Sequence, residues 1–172
     1  MKELRKLNYF LEIEVAYCKQ EGVGFSKTFS PNARLEAIRI LLAFTAYKDI
    51  KIFQMDVRSS FLNGFIEKEV FVKQLPGFEA AKHLDHAFKL RKTSYGLKQA
   101  PHAWYDKLGN FLISNGFSRE KVDIIIFRKE ENKEFIIVQT YDIIFGATNE
   151  HLCKNFSNLM QSEIKMSMMG EL

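Results

Sequence analysis

The segment IIVQTYDIIFGATN, residues 136–149, decides how this chain is read. Two apolar runs meet at Tyr141-Asp142. Short apolar runs on either side of a turn residue read as a hairpin of two strands. One carboxylate, Asp142, sits where the strands turn, with no second acid beside it. Turns favour Asp for its local hydrogen bonds, so a solvated turn is the plain reading of Asp142 taken alone. The other reading is a metal site with a ligand missing.

Upstream, KIFQMDV (51–57) reads as a strand. Side chains alternate along a strand, so Ile52, Gln54 and Asp56 share one face and Phe53, Met55 and Val57 the other. Asp56 ends this strand. By itself it is better read as a solvated strand end than as a ligand, because one acid is not a site. The pair says more than either member. Two acids at strand ends of one sheet could hold Mg²⁺, a hard cation that takes carboxylates, water and phosphate oxygens. Two-metal phosphoryl transfer usually needs more anionic ligands than two.

The rest of the chain supplies helices and further strands. SPNARLEAIRILLAFTAYKD opens with Ser30 as N-cap and Pro31 at the first helical position, and Leu35, Ile38, Leu42 and Thr45 or Ala46 recur at helical spacing. EVFVKQ is a strand ended by LPGF. QAPHAWYDKLGNFLISNGF is a helix with Trp104, Leu108 and Phe111 or Leu112 on one face and Gly116 as its stop. VDIIIFRK, EFIIVQTY and DIIFGAT are strands. NEHLCKNFSNLMQSEIKM is a helix capped by Asn149 with Leu152, Phe156 and Leu159 inward. KMSMMGEL reads as core or as a frayed end. The expected class is α+β, a sheet with helices packed on one face. The first 25 residues carry a poor pattern.

The 172 residues suffice for one domain with a real core, and 47% hydrophobic with 27% charged residues fits a soluble globular protein. Sixteen Phe imply much buried aromatic area. A net charge of +4 leans towards a polyanionic partner. Cys18 and Cys153 lie far apart and form no metal-ligand pair, which fits a reducing, intracellular compartment. The start is too polar for a signal peptide, and no apolar run approaches a membrane span. His83 and His86 lack partners at zinc-ligand spacing. SYGLKQAP lacks the spacing of a phosphate-binding P-loop. Lys89, Arg91, Lys92 and Lys98 flank it as a basic cluster, either a solvated face or a contact with a phosphate backbone.

Four longer motifs are more specific. QMDVRSSFLNGFIEKEVFVKQLPGF and KLRKTSYGLKQAPHAWYDKL, preceded by TFSPNARLEAIRILLAF and followed by IIFGATNEHLCKNFSNLMQSEIKMSMMGEL, closely resemble the reverse transcriptase of copia-type LTR retrotransposons. The resemblance runs from about residue 15 to the end. It implies the fingers and palm of a right-hand polymerase, with residues 1–50 mainly fingers and 51–172 mainly palm with interleaved fingers segments. It implies Mg²⁺ or Mn²⁺, an RNA template, a DNA primer and dNTP. Asp56 matches the first catalytic aspartate, and Val57 would lend its carbonyl to a metal. Ser59 and Ser60 fall where backbone N–H groups hold the triphosphate. Phe61 falls at the bulky gate that excludes a ribose 2′-OH. Tyr95 and Gly96 fall where the incoming nucleotide stacks. Phosphoryl transfer is mostly positioning and charge neutralisation, so these are the parts it needs.

The departures bear on activity. The family's third motif is Tyr-x-Asp-Asp, usually YVDDIIFG in copia-type members, and here the text is TYDIIFG. A Val-Asp pair is absent by the simplest alignment, and Asp142 is the surviving carboxylate. Losing two residues keeps the strand alternation, so the hairpin should form with Tyr141-Asp142 as its turn and Thr140 facing Ile143. Asp142 is expected to retreat by about 3.3 Å, one strand step. FLEIEVAY stands where the family usually reads like KARLVAKGY, so Leu11, Val15, Glu12 and Glu14 replace a basic fingers segment. Family members continue past MMGEL into a primer grip, thumb and RNase H, so the resemblance implies a copy without a thumb. The expectation is an inactive reverse transcriptase domain. The alternatives are residual activity with Mn²⁺ or with parts supplied by another chain, and a non-catalytic basic α+β module that binds nucleic acid.

Overall fold

The hairpin around Tyr141-Asp142 lies inside a six-stranded sheet. The computed structural model describes residues 13–16, 34–74, 77, 87–95, 97, 99–121 and 123–172, with the side chains of 13–16 and 67–69 excepted. In chain order the elements are β1 (Ile13–Ala16), α1 (Leu35–Tyr47), β2 (Ile52–Val57), a 3-10 turn (Ser60–Asn63), β3 (Phe65–Val72), β4 (Ala87–Lys92), α2 (Ala100–Ser114), β5 (Ser118–Arg119), β6 (Ile126–Glu131), β7 (Glu134–Gln139), β8 (Ile144–Ala147), α3 (Glu150–Glu163) and β9 (Met166–Glu171). The class is α+β with antiparallel sheets. No helix among the described residues is long and apolar enough to cross a membrane.

The chain divides into two compact units. One comprises Met1–Ser30 and Ser60–Lys107, the other Pro31–Ser59 and Leu108–Leu172. In the first, a three-stranded sheet has the order β1-β4-β3. Val70, Phe88 and Leu90 are buried on it, with Ile66, Val72 and Leu97 packed around them. In the second, the sheet order is β5-β6-β7-β8-β2-β9. Phe127, Val138, Phe145 and Phe53 fall in one cross-strand row. The facing helix surfaces explain why this row is apolar. Gly109 of α2 comes so close to Phe127 that an added Cβ would lie 3.3 Å from its ring. Phe156 of α3 meets Phe145 at 4.8 Å and Phe117 at 5.7 Å between ring centroids. Phe44 of α1 meets Phe135, which has the opposite strand parity.

Helix boundaries follow the expected signals where these are described. Gly116, at φ +85°, follows the end of α2, and its N–H donates to Ile113. Trp104, Leu108 and Leu112 are buried as the spacing predicts. Asn149 caps α3, its side chain accepting from the His151 N–H at 2.8 Å. Ser30 and Pro31 lie outside the described residues, and α1 begins at Leu35 after Arg34 without a side-chain cap.

Three expectations are corrected. On α1 the buried residues are Leu41 and Thr45, while Leu35 and Leu42 are exposed. Thr45 can be buried because its hydroxyl lies 2.9 Å from the Leu41 and Leu42 carbonyls. On α3 the inward stripe is Cys153, Phe156 and Met160, because the two ring contacts of Phe156 fix the helix's rotation; Leu152 and Leu159 flank it, half-buried. The C-terminal methionines form neither core nor frayed end. They make β9, paired along β2 with a bulge at Met169, since Met55 faces Met168 and Gln54 faces Gly170.

Candidate active site

The hairpin keeps the expected register, but its turn takes four residues where the sequence predicts Tyr141-Asp142 alone, and Thr140 does not pair with Ile143. Gln139↔Ile144 is the last ladder pair of β7 and β8, and Thr140–Ile143 make the turn. Thr140 leaves the ladder because its N–H and hydroxyl both donate to the Ile125 carbonyl, at 3.0 and 3.1 Å. Ile143 takes φ +44° and is 2% exposed. A β-branched residue rarely adopts that conformation, so the short turn carries backbone strain. Gln139, 1% exposed, braces the turn from beneath, its Oε1 accepting from the Asp142 N–H at 3.2 Å.

Next to this turn runs β2. Its pairing with β8 ends at Gln54↔Ile144, and the Met55 N–H then donates to the Ile143 carbonyl at 3.1 Å. Asp56 lies two residues beyond Gln54, and Asp142 two residues from Ile144 in the antiparallel direction. The two acids therefore stand at the same end of neighbouring strands, and both are exposed. Val57 ends β2 opposite Met166 of β9. Ser59 follows with φ +55°.

A divalent-metal pair needs a richer ligand set. Among the described residues no group of three or more His, Cys, Asp or Glu could hold a metal ion. Two exposed carboxylates therefore do not fit a two-metal centre.

The other predicted residues lie in the first unit. Ser60 starts the 3-10 turn, and Phe61 within it packs edge-on against Tyr95 at 5.3 Å between centroids. Tyr95 is 59% exposed. Thr93 holds the pair together: fully buried, its hydroxyl donates to the Phe61 carbonyl and lies 3.2 Å from that of Gly64. Its N–H also donates to Gly64, at 3.0 Å. Gly64 has to be glycine, because a Cβ there would lie 2.8 Å from the Thr93 hydroxyl and 3.0 Å from the Ala103 Cβ. Sequence reasoning missed Thr93 and Gly64. The glycine after a turn was the available signal, but its neighbours are distant in sequence.

The basic cluster falls on β4. Lys89 and Arg91 alternate away from Phe88 and Leu90, while Lys92 shares their parity and lies 5.9 Å from the Phe65 ring. Lys107 approaches the same ring at 5.8 Å. Register sets Lys89 between Glu14 of β1 and Phe71 of β3. Gly96 and Lys98 lie outside the described residues.

Comparison with known proteins decides the family. Residues 1–172 match the family described as reverse transcriptase (RNA-dependent DNA polymerase). The chain belongs to the reverse transcriptase family. It is 35% identical over 148 residues to the retrovirus-related Pol polyprotein from transposon RE1 of Arabidopsis thaliana, covering 84% of this chain and 10% of that protein. It is 31% identical over 155 residues to the Pol polyprotein from transposon TNT 1-94 of Nicotiana tabacum, covering 88% and 12%. These relatives make it a copia-type reverse transcriptase segment spanning about a tenth of their length. No solved structure matches the chain significantly. In this reverse transcriptase chain, Asp56 and Asp142 are the acids that sequence and topology bring to neighbouring strand ends.

Proposed function

We propose that this chain is the fingers and palm portion of a copia-type RNA-directed DNA polymerase whose catalytic step is disabled. The observation that carries this reading is the turn Thr140–Ile143, which presents one carboxylate beside Asp56 where the family's motif supplies two. The loss is one of ligand number and of reach: Asp56 and Asp142 alone leave a metal pair under-coordinated, and the shorter hairpin sets Asp142 back by about 3.3 Å, one strand step. Asp56, Val57 and Asp142 are the remnant of the metal site. Ser59 and Ser60 belong to the triphosphate contact, Phe61 to the sugar gate, and Tyr95 with Gly96 to nucleotide stacking. An RNA template and DNA primer are the partners this reading implies, with Lys89, Arg91, Lys92 and Lys98 contributing backbone charge. Given an RNA template, a DNA primer, dNTPs and Mg²⁺, the chain should extend no more primer than its Asp56→Asn variant. Extension clearly above that variant would overturn the reading.

A second reading, binding without chemistry, has its own support. Phe65 and Tyr95 are exposed aromatics, and Lys92 and Lys107 flank Phe65. Aromatic faces beside cations suit single-stranded nucleic acid. Affinity that falls steeply with salt and weakens in Phe65→Ala would support it; salt-independent binding would count against it.

A further inference from the structure

We infer that Thr93 is a positioning residue that sets the height of the Phe61 gate, and so governs which sugar the nucleotide pocket accepts; this rests on the nucleotide reading of Phe61 and Tyr95. Phe61 sits in a four-residue 3-10 turn, too short to fix a large ring by its own backbone hydrogen bonds. The fixing comes from outside the turn. Thr93 is 0% exposed and directs its hydroxyl at the Phe61 and Gly64 carbonyls, which bracket the turn's last two residues. Its N–H takes the Gly64 carbonyl as well. Gly64 lets this close approach happen, being the only residue type that fits between Thr93 and Ala103.

Two residues after Thr93 comes Tyr95, whose ring meets Phe61 edge-on. The same short segment therefore carries both the anchor of the gate's backbone and the ring against which the gate rests. A gate that discriminates one hydroxyl works by shape, so a small displacement of its ring changes what it excludes. The hydroxyl at position 93 holds the backbone that carries that ring. Valine would fill the same space and release it.

The test uses the full chain and two independent readouts. The first is the NMR contact between the Phe61 and Tyr95 rings, with selectively labelled Phe and Tyr, in the parent, Thr93→Val and Thr93→Ser. The second is binding of dUTP against UTP, which differ only at the 2′ position, to the chain on a blocked RNA template and DNA primer with Mg²⁺. Thr93→Val should lose the ring contact and about tenfold of the dUTP preference, while Thr93→Ser keeps both. A Thr93→Val variant with an intact ring contact and an unchanged preference would overturn the inference, as would a Thr93→Ser variant that behaves like valine. If the parent binds neither nucleotide, the nucleotide reading of the pocket fails, and the ring contact still decides whether Thr93 sets the gate. Thr93→Ala carries the same comparison if the valine variant does not fold.

Discussion

Ile143 shows at the scale of one residue what the tight turn Thr140–Ile143 costs. Its φ of +44° is a conformation that β-branched side chains avoid, held here by burial and by the Met55 N–H on its carbonyl. Gly64 is the opposite case, a residue whose lack of a side chain is the point. Gly64→Ala should lower stability by about 1–3 kcal/mol, because the new Cβ presses on the Thr93 hydroxyl and on Ala103. The urea midpoint measures this, and an unchanged midpoint would refute it. Cys153 gives a pH prediction. Burial foremost, with Glu150 adding and a hydrogen bond involving the Ala147 backbone opposing, pushes its thiol above the ordinary value. The fold thus favours the protonated thiol. Its contribution is complete below the unfolded thiol's pKa and drains away as pH rises towards the folded value. Compared between neutral pH and about pH 10, Cys153→Ala should lose less stability than the parent. An equal loss in both would remove Cys153 as the cause.

Among the elements, those with local signals were legible in the sequence. Alternation gave β2, apolar runs gave β6, β7 and β8, Gly116 gave the end of α2, and Asn149 gave the start of α3. Period two also gave the hairpin register, since removing two residues leaves inward and outward unchanged. Asn149→Ala should cost about 1 kcal/mol of stability by removing the cap on the His151 N–H, read from the thermal midpoint. No shift would mean another group replaces the cap. What was illegible depended on distant partners. β9 is a strand because β2 offers its edge, and a run of Met, Ser and Gly has no strand signature of its own. The basic cluster reads as one patch in sequence, yet strand alternation turns Lys92 away from Lys89 and Arg91. The two acids were legible as candidates. Their placement at adjacent strand ends needed the pairing of β2 with β8.

For the molecule as a whole, the sheet of the second unit ends in β9, an edge strand on which Met168 and Met169 are exposed, with Leu172 following. Such an edge invites pairing with another chain. The chain should therefore associate as its concentration rises, and Met169→Lys should shift it towards monomer in sedimentation. A parent that stays monomeric throughout would contradict this. The central claim is that a reverse transcriptase scaffold remains while its metal site lacks a carboxylate. Primer extension on an RNA template, comparing this chain with a variant carrying Val-Asp inserted between Tyr141 and Asp142, tests it most directly. The account predicts extension by the insertion variant alone. Equal extension by both chains would contradict it, because Asp56 and Asp142 would then suffice.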